Sequence, residues 1–163
     1  LSDRIVGTDD LSPHDLRRMV REALVEGGSQ RALHVQVVSF GFKYGLPRDA
    51  DMVFDARFLS NPYFVPGLRE LDGRSAQVVD YLASLDDYKT FVDHLESLTE
   101  FVMPRFLDEG KSYVTIAIGC TGGRHRSVAL SERLGRFLEQ SGYVAEVHHR
   151  DLGREAERDK VRG

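Results

Sequence analysis

Several features that mark special classes of protein are absent from this chain of 163 residues. It has a single cysteine, Cys120, so no disulfide can form within it, which fits a reducing compartment such as the cytoplasm. No apolar run approaches the roughly 20 residues of a membrane-spanning helix. Residues 1–6 also lack the basic-then-apolar pattern of a signal peptide. We therefore expect a cytoplasmic protein that has no membrane partner.

An excess of positive charge is absent as well. The formal net charge is −4 and the isoelectric point is about 5.9, whereas dedicated nucleic-acid binders usually present a basic surface. The histidines are scattered and show no metal-ligand spacing, so we predict no zinc or other metal site. What remains is the ordinary composition of a globular protein, in a chain long enough for one domain with a hydrophobic core.

Apolar, β-branched segments alternate with segments of helical periodicity along the chain. Strands are predicted over residues 33–40, 52–54, 113–118 and 144–149. Helices are predicted over residues 12–25, 75–85, 88–106 and 126–141, and residues 56–74 form a long loop. This alternation is typical of an α/β fold, and we predict a single doubly wound, mainly parallel four-stranded sheet flanked by helices.

The most informative segment is the loop of residues 119–127, which has the sequence Gly-Cys-Thr-Gly-Gly-Arg-His-Arg-Ser. It lies between the third predicted strand and a predicted helix, where backbone N–H groups and the helix dipole attract anions. Gly122 and Gly123 allow a tight turn, and Arg124 and Arg126 can add charge-assisted hydrogen bonds. A glycine pair alone would indicate only a turn, but this combination predicts a phosphate site.

In parallel sheets, ligands bind beyond the carboxyl ends of the strands. Three predicted loops leave those ends, namely residues 41–48, residues 55–62 and the loop of residues 119–127, so we expect their basic side chains to converge. Asp55 and Arg57 either contact the ligand there or form a surface ion pair of little energetic value. The predicted ligand-binding residues are Lys43, Tyr44, Asp55, Arg57, Asn61, Thr121, Gly122, Gly123, Arg124, His125, Arg126 and Ser127.

A second interpretation of the same loop rests on Cys120. The spacing of Cys120 from Arg126 and Ser127 resembles the signature of cysteine-dependent tyrosine phosphatases. In those enzymes a thiolate attacks phosphorus while loop amides and the arginine hold the phosphate. Gly119 stands where that family usually has histidine, and Asp55 is a residue that could be proposed as the general acid. The alternative is that Cys120 is a small buried residue that ends the strand.

Longer blocks of the sequence resemble the C-terminal domain of the RapZ (YvcJ) family of bacterial RNase adapters and nucleotide-binding proteins. The blocks are residues 39–45, 49–51, 54–62 and 119–128, and the resemblance extends over residues 35–150. It implies a fold like that of a phosphofructokinase subdomain and a role in sensing a phosphorylated amino sugar, glucosamine-6-phosphate. It also implies a regulatory RNA or protein partner and a homo-oligomer.

The resemblance has consequences for domain organisation. Full-length members of the family carry an N-terminal P-loop domain with ATPase and GTPase activity. This chain has no G-x-x-x-x-G-K-[ST] motif, so we expect that domain to be absent, and with it the site for ATP or GTP. Residues 1–30 resemble the linker to that domain, residues 31–150 form the ligand-binding domain, and residues 151–163 are a polar tail. We expect no cofactor in the ligand-binding domain.

Three functions follow, and the leading one is a non-catalytic sensing and adapter domain that binds a phosphorylated sugar. The second is a phosphatase that uses Cys120 and Arg126. The third is an RNA-binding module. RNA-binding members of the family end in a compact basic tail, whereas acidic and basic residues interleave over residues 150–163 here, so RNA is the less favoured partner.

Overall fold

Strands and helices alternate along residues 33–154, the part of the chain that the computed structural model describes. The strands are β1 (His34–Gly41), β2 (Met52–Asp55), β3 (Tyr113–Cys120) and β4 (Val144–His149). The helices are α1 (Ala76–Ala83), α2 (Asp86–Asp108) and α3 (Arg126–Gln140). Short 3₁₀ helices occupy Phe42–Tyr44 and Pro62–Phe64. The predicted N-terminal helix, the linker and most of the tail lie outside the described residues.

The four strands form one sheet in the order β2-β3-β1-β4, and every pair is parallel. The predicted α/β fold with a four-stranded sheet flanked by helices is therefore confirmed. Val37 on β1 and Ile116 and Ala117 on β3 are completely buried, as expected for the central strands of a parallel sheet. The near-continuous apolar runs of these two strands reflect that burial.

The register of the sheet aligns the carboxyl ends of three strands. Gly41 at the end of β1 pairs with Cys120 at the end of β3, and Asp55 at the end of β2 pairs with Gly119. The three loops expected at the ligand-binding edge therefore leave the sheet side by side.

Helix α3 packs on β1, β3 and β4 through an apolar face. Its buried residues Leu130, Leu134 and Leu138 recur every fourth position, which places them on one face of the helix. Helices α1 and α2 pack on each other and on α3. Within residues 33–154, no helix is both long enough and apolar enough to span a bilayer.

The predicted long loop of residues 56–74 is an ordered segment. Leu59 is buried in the core, and the 3₁₀ helix Pro62–Phe64 follows it. Asn61 caps this helix because its side-chain oxygen accepts a hydrogen bond from the N–H of Tyr63 at 3.3 Å. Pro62 is the first residue of this helix. A backbone N–H at that position would have no partner within the helix, so proline loses nothing by lacking one.

Candidate anion-binding site

The loop between β3 and α3 turns at Gly123, which no larger residue could replace without a clash. Gly123 has a φ of +76°, and a Cβ atom there would lie 2.7 Å from the backbone nitrogen of Gly41. A Cβ atom at Gly41 would lie 2.7 Å from the carbonyl carbon of Gly122. Lys43 N–H donates to the carbonyl of Thr121 at 3.3 Å. The loop therefore lies directly against the end of β1.

Asp151, just after β4, fixes the end of β1 at this position. Its carboxylate accepts a hydrogen bond of 2.8 Å from the N–H of Gly41, and it is 1% exposed. Arg150 and Arg154 both pair with the same carboxylate. Sequence reasoning missed this residue, which it assigned to the polar tail. The available signal was its position after the last strand, at the same edge of the sheet as the loop.

Arg126 is the first residue of α3 and is only 4% exposed. Its Nη1 donates to the carbonyls of Arg57 and Leu59, each at 2.8 Å. Its Nη2 donates to Thr121 Oγ1 at 3.2 Å, while its buried Nε has no hydrogen-bond partner. Nε and Nη2 form one edge of the planar guanidinium, so a buried, half-used donor edge is directed at the loop.

The same edge is fully occupied in five other arginines of the described region. The pairs are Arg57 with Asp55, Arg74 with Asp72, Arg133 with Glu96, Arg150 with Asp151, and Arg124 with the carbonyls of Glu70 and Leu71. This forked edge is the part of arginine that matches carboxylate and phosphate oxygens. The edge of Arg126 therefore differs from these five in keeping one donor, Nε, without an acceptor.

Asp55 and Arg57 form the ion pair considered in the sequence analysis. Arg57 Nε and Nη2 donate to the carboxylate of Asp55 at 2.9 and 2.6 Å, and the Arg57 guanidinium stacks 3.9 Å from the centre of the Phe42 ring. The Arg57 guanidinium holds the pKa of Asp55 below its ordinary value, and Arg126 contributes a smaller effect in the same direction. At neutral pH the Asp55 side chain is therefore an ionised acceptor beside the loop.

The other predicted residues of the second and third loops take different positions. Arg124 binds backbone carbonyls of the segment that precedes α1 rather than converging with Arg126. His125 is buried, with Nε2 3.2 Å from the carbonyl of Leu68. Asn61 uses its side chain as a helix cap. Arg124 and His125 therefore attach the loop of residues 119–127 to the carbonyls of residues 68–71.

The predicted residues of the first loop form an aromatic and cationic cluster. Lys43 Nζ lies 5.0 Å from the centre of the Tyr44 ring, and the guanidinium of Arg154 lies 5.3 Å from the same ring. The hydroxyl oxygen of Tyr44 is buried and has no hydrogen-bond partner. Within residues 33–154, no three His, Cys, Asp or Glu side chains lie close enough to hold a metal ion.

Cys120 and Ser127 lie at the base of the loop. Cys120 is 3% exposed, and its Sγ lies 3.1 Å from Ser127 Oγ. The N–H of Gly123 donates to the same sulfur at 3.3 Å. The cysteine is therefore a buried residue that ends its strand, with its sulfur facing the loop.

A family model described as the RapZ C-terminal domain matches residues 33–153. This chain belongs to the RapZ C-terminal domain family. The resemblance expected from the sequence blocks is confirmed, and the matched residues contain the whole sheet and the loop between β3 and α3.

The relatives of this RapZ C-terminal domain include three bacterial proteins, each named a nucleotide-binding protein. The one from Moorella thermoacetica is 44% identical over 153 residues, covering 94% of this chain and 50% of that protein. The one from Acidobacterium capsulatum is 41% identical over 154 residues, covering 94% and 50%. The one from Desulfitobacterium hafniense is 44% identical over 160 residues, covering 98% and 54%. The chain thus spans about half the length of these curated relatives.

Proposed function

We propose that this domain is a sensing and adapter domain that binds a phosphorylated amino sugar, such as glucosamine-6-phosphate, at the loop of residues 119–127 without hydrolysing it. The observation that carries the proposal is the buried Arg126, whose Nε has no partner on an edge directed at the loop. Leaving a buried donor unpaired costs about 1–3 kcal/mol, and more when the group is charged. A phosphate oxygen between Nε and Nη2 would remove that cost.

The surroundings of Arg126 favour a dianion over a neutral ligand. The loop ends at the N-terminus of α3, a helix of 15 residues whose dipole favours negative charge at this end. Asp55 is already neutralised by its ion pair with Arg57, so it adds little repulsion. A phosphate group in the loop is therefore the best match to the charge of the site.

The sugar would extend from the phosphate toward the loop after β2. There the ionised carboxylate of Asp55 can accept hydrogen bonds from an ammonium group or hydroxyls of the ring. Arg57 already lies flat against the Phe42 ring, and it can exchange its bond to Asp55 for one to the ligand. Asp55 is 44% exposed and Arg57 is 49% exposed, so this exchange requires little rearrangement of the core.

The same pair of residues argues against the alternative function, hydrolysis of the sugar phosphate. A phosphatase would need a protonated group to assist departure of the sugar alkoxide, and general acid catalysis contributes roughly 10²–10⁴-fold to such reactions. Asp55 was the acid candidate, but Arg57 keeps it ionised. We therefore favour binding without turnover for sugar phosphates.

The remaining proposals concern nucleotides, other protein chains and RNA. We assign no nucleotide cofactor to this domain, and we place ATP or GTP binding in the part of the relatives that this chain does not cover. A homo-oligomer in the cytoplasm and a regulatory protein partner are proposed from the family resemblance. RNA is the less favoured partner because the residues after Arg150 are of mixed charge.

Titration calorimetry of the chain with glucosamine-6-phosphate, glucose-6-phosphate and inorganic phosphate tests the proposal. We expect all three to bind competitively at one site, and a crystal grown in sulfate to hold the ion against Arg126 and the N–H groups of residues 121–125. Absence of binding by all three, or an ion-free loop in such a crystal, would refute the phosphate site. RNA binding that weakens steeply with salt would favour the RNA module instead.

A further inference from the structure

We infer that Cys120 is a nucleophile that accepts the phosphoryl group of phosphate monoesters with good leaving groups, such as aryl phosphates. This inference rests on the proposed phosphate site, because the same loop would hold the substrate. It adds an activity that sugar-phosphate sensing does not require. Alkyl phosphates, including sugar phosphates, would bind at the same place without reacting.

The first observation is the environment of the sulfur. Cys120 Sγ accepts the N–H of Gly123 at 3.3 Å and lies 3.1 Å from Ser127 Oγ. Gly123 belongs to the turn that leads into α3 and Ser127 to the first turn of that helix, whose N-terminal end stabilises negative charge. A hydrogen-bond donor and a helix N-terminus therefore lie beside the sulfur, where they would stabilise the negative charge that returns to it when an S–P bond breaks.

The second observation, independent of the sulfur, indicates where the substrate would lie. Arg126 is 4% exposed, its Nε lacks a partner, and the edge that carries Nε contacts Thr121, the residue after Cys120. An oxyanion on this edge would lie against the loop that starts at the cysteine. The arginine would then bind the phosphate while the sulfur approached phosphorus from the base of the loop.

The reaction balances with water as the one co-reactant. Cys120 loses its thiol proton to water and its sulfur attacks phosphorus, an S–P bond forms, and the bond between phosphorus and the aryl oxygen breaks with its electron pair on the departing phenolate. Water then attacks the cysteinyl phosphate, the S–P bond breaks, and inorganic phosphate and the thiolate are released. Ser127 Oγ–H can donate to the sulfur as negative charge returns to it in this second step.

The dependence on the leaving group follows from Asp55. A nitrophenolate departs as a stable anion, whereas a sugar alkoxide needs a proton as it leaves. Arg57 donates to both oxygens of Asp55, and this pairing keeps the carboxylate ionised rather than available as an acid. The domain therefore has the candidate nucleophile and the phosphate-binding arginine of a phosphatase. Its candidate general acid, Asp55, is ionised and has no proton to give to the leaving group.

The test is hydrolysis of p-nitrophenyl phosphate by the full chain of 163 residues. We expect slow release of nitrophenolate that falls at least about a hundredfold in Cys120→Ser, since the covalent route is lost. Ser127→Ala should leave the first step largely intact and slow the second. Mass spectrometry of that variant should then find one phosphoryl group on the tryptic peptide that contains Cys120. Ser84→Ala, which removes an exposed hydroxyl on the loop after α1, is the matched control and should behave like the parent.

Binding of inorganic phosphate, measured by calorimetry on the same preparations, separates this inference from the proposed function. Retained phosphate binding in Cys120→Ser with lost hydrolysis supports the nucleophile. An equal rate in the parent and in Cys120→Ser, or phosphate binding by a parent that releases no nitrophenolate, overturns the nucleophile and leaves the binding site standing. Absence of phosphate binding by the parent overturns both. Release of phosphate from glucosamine-6-phosphate at a comparable rate would contradict the proposed selectivity for leaving groups.

Discussion

Arg126 donates a hydrogen bond of 2.8 Å to the backbone carbonyl of Arg57, which joins the first residue of α3 to the loop after β2. The opposite edge of the same guanidinium contacts Thr121. One buried side chain therefore connects two of the three loops at the carboxyl ends of the strands. A movement of Arg126 on ligand binding would therefore reach the Asp55–Arg57 pair through this hydrogen bond, without a change in the sheet.

Arg126→Lys should weaken binding of inorganic phosphate and sugar phosphates by about ten- to a hundredfold, because lysine keeps the charge but loses the forked edge. The measurement is titration calorimetry. Arg126→Ala is a poorer choice, because it would also leave the carbonyls of Arg57 and Leu59 without their donor. Arg105→Lys, on α2, is the matched control, since Arg105 stacks on Phe101 and donates to its carbonyl. Equal affinities for the two lysine variants would exclude Arg126 as the phosphate ligand.

Gly41→Ala should abolish phosphate binding, because the added Cβ would lie 2.7 Å from the carbonyl carbon of Gly122 and displace the loop. Gly135→Ala is a control of the same chemical size, in which the Cβ would lie 2.4 Å from Val147 Cγ2 instead. Overpacking of this kind costs typically about 1–3 kcal/mol in either variant. Urea denaturation should find both variants destabilised and calorimetry should find binding lost only in Gly41→Ala. If Gly41→Ala binds phosphate as tightly as the parent, the prediction is wrong and the loop can shift away from Gly41 without losing the phosphate site.

Acid should remove the stabilising effect of the ion pair between Asp72 and Arg74, which precedes α1. Arg74 donates from both its backbone and its guanidinium to Asp72, and these bonds hold the pKa of Asp72 below its ordinary value. A carboxyl whose pKa is lowered by folding stabilises the folded state above its unfolded pKa, about 4, and this stabilisation is lost as the pH falls through the folded pKa.

Asp72→Asn should therefore lower the free energy of unfolding near pH 7 by up to about 1 kcal/mol, and the difference from the parent should be smaller at pH 3, below the unfolded pKa. Urea denaturation at both pH values measures it. Asp93→Asn changes an exposed carboxylate on α2 and is the control, for which we expect little effect at either pH. A difference for Asp72→Asn that is as large at pH 3 as at pH 7 would contradict the assignment.

The helices and strands could be predicted from the sequence because residues that favour turns lie at the ends of the apolar segments. β4 has the predicted bounds, Val144–His149, since Gly142 allows a turn after α3 and a β-branched segment follows. β3 extends two residues beyond the prediction, to Cys120, because pairing with Gly41 continues the ladder into the glycine-containing loop. Pairing partners of that kind lie far away in sequence, so no local pattern marks them.

The orientation of side chains in the loop could not be predicted. Arg124 and Arg126 are equivalent donors in the sequence, yet Arg124 binds carbonyls of residues 70–71 while Arg126 turns toward Thr121. The difference arises because Arg126 is the first residue of α3, whereas Arg124 lies in the loop before the helix. The role of Asp151 was equally hidden, because its bond to Gly41 joins residues 110 positions apart.

The last prediction concerns recognition of the sugar and rests on Asp55. An amino group on the ring would be bound by a carboxylate, and Asp55 is an ionised carboxylate at the end of β2, paired in register with the end of β3. Asp55→Asn should therefore reduce the preference for glucosamine-6-phosphate over glucose-6-phosphate. Binding of inorganic phosphate should stay nearly unchanged, because Asn keeps the size of the side chain and Arg126 still holds the phosphate.

Calorimetric titration of both sugar phosphates, and of free glucosamine, into the parent and the variant measures this selectivity. Free glucosamine lacks the charge that the loop would hold, so it should bind at least a hundredfold more weakly than its 6-phosphate, a difference of about 2.8 kcal/mol or more. Asp51→Asn is a suitable control, because Asp51 is a carboxylate before β2 that pairs with Lys111 at the opposite end of the strand. If the parent binds both sugar phosphates equally well, the amino-sugar assignment fails even though the phosphate site stands. If Asp55→Asn keeps the parent's preference, the amino group is recognised by another residue.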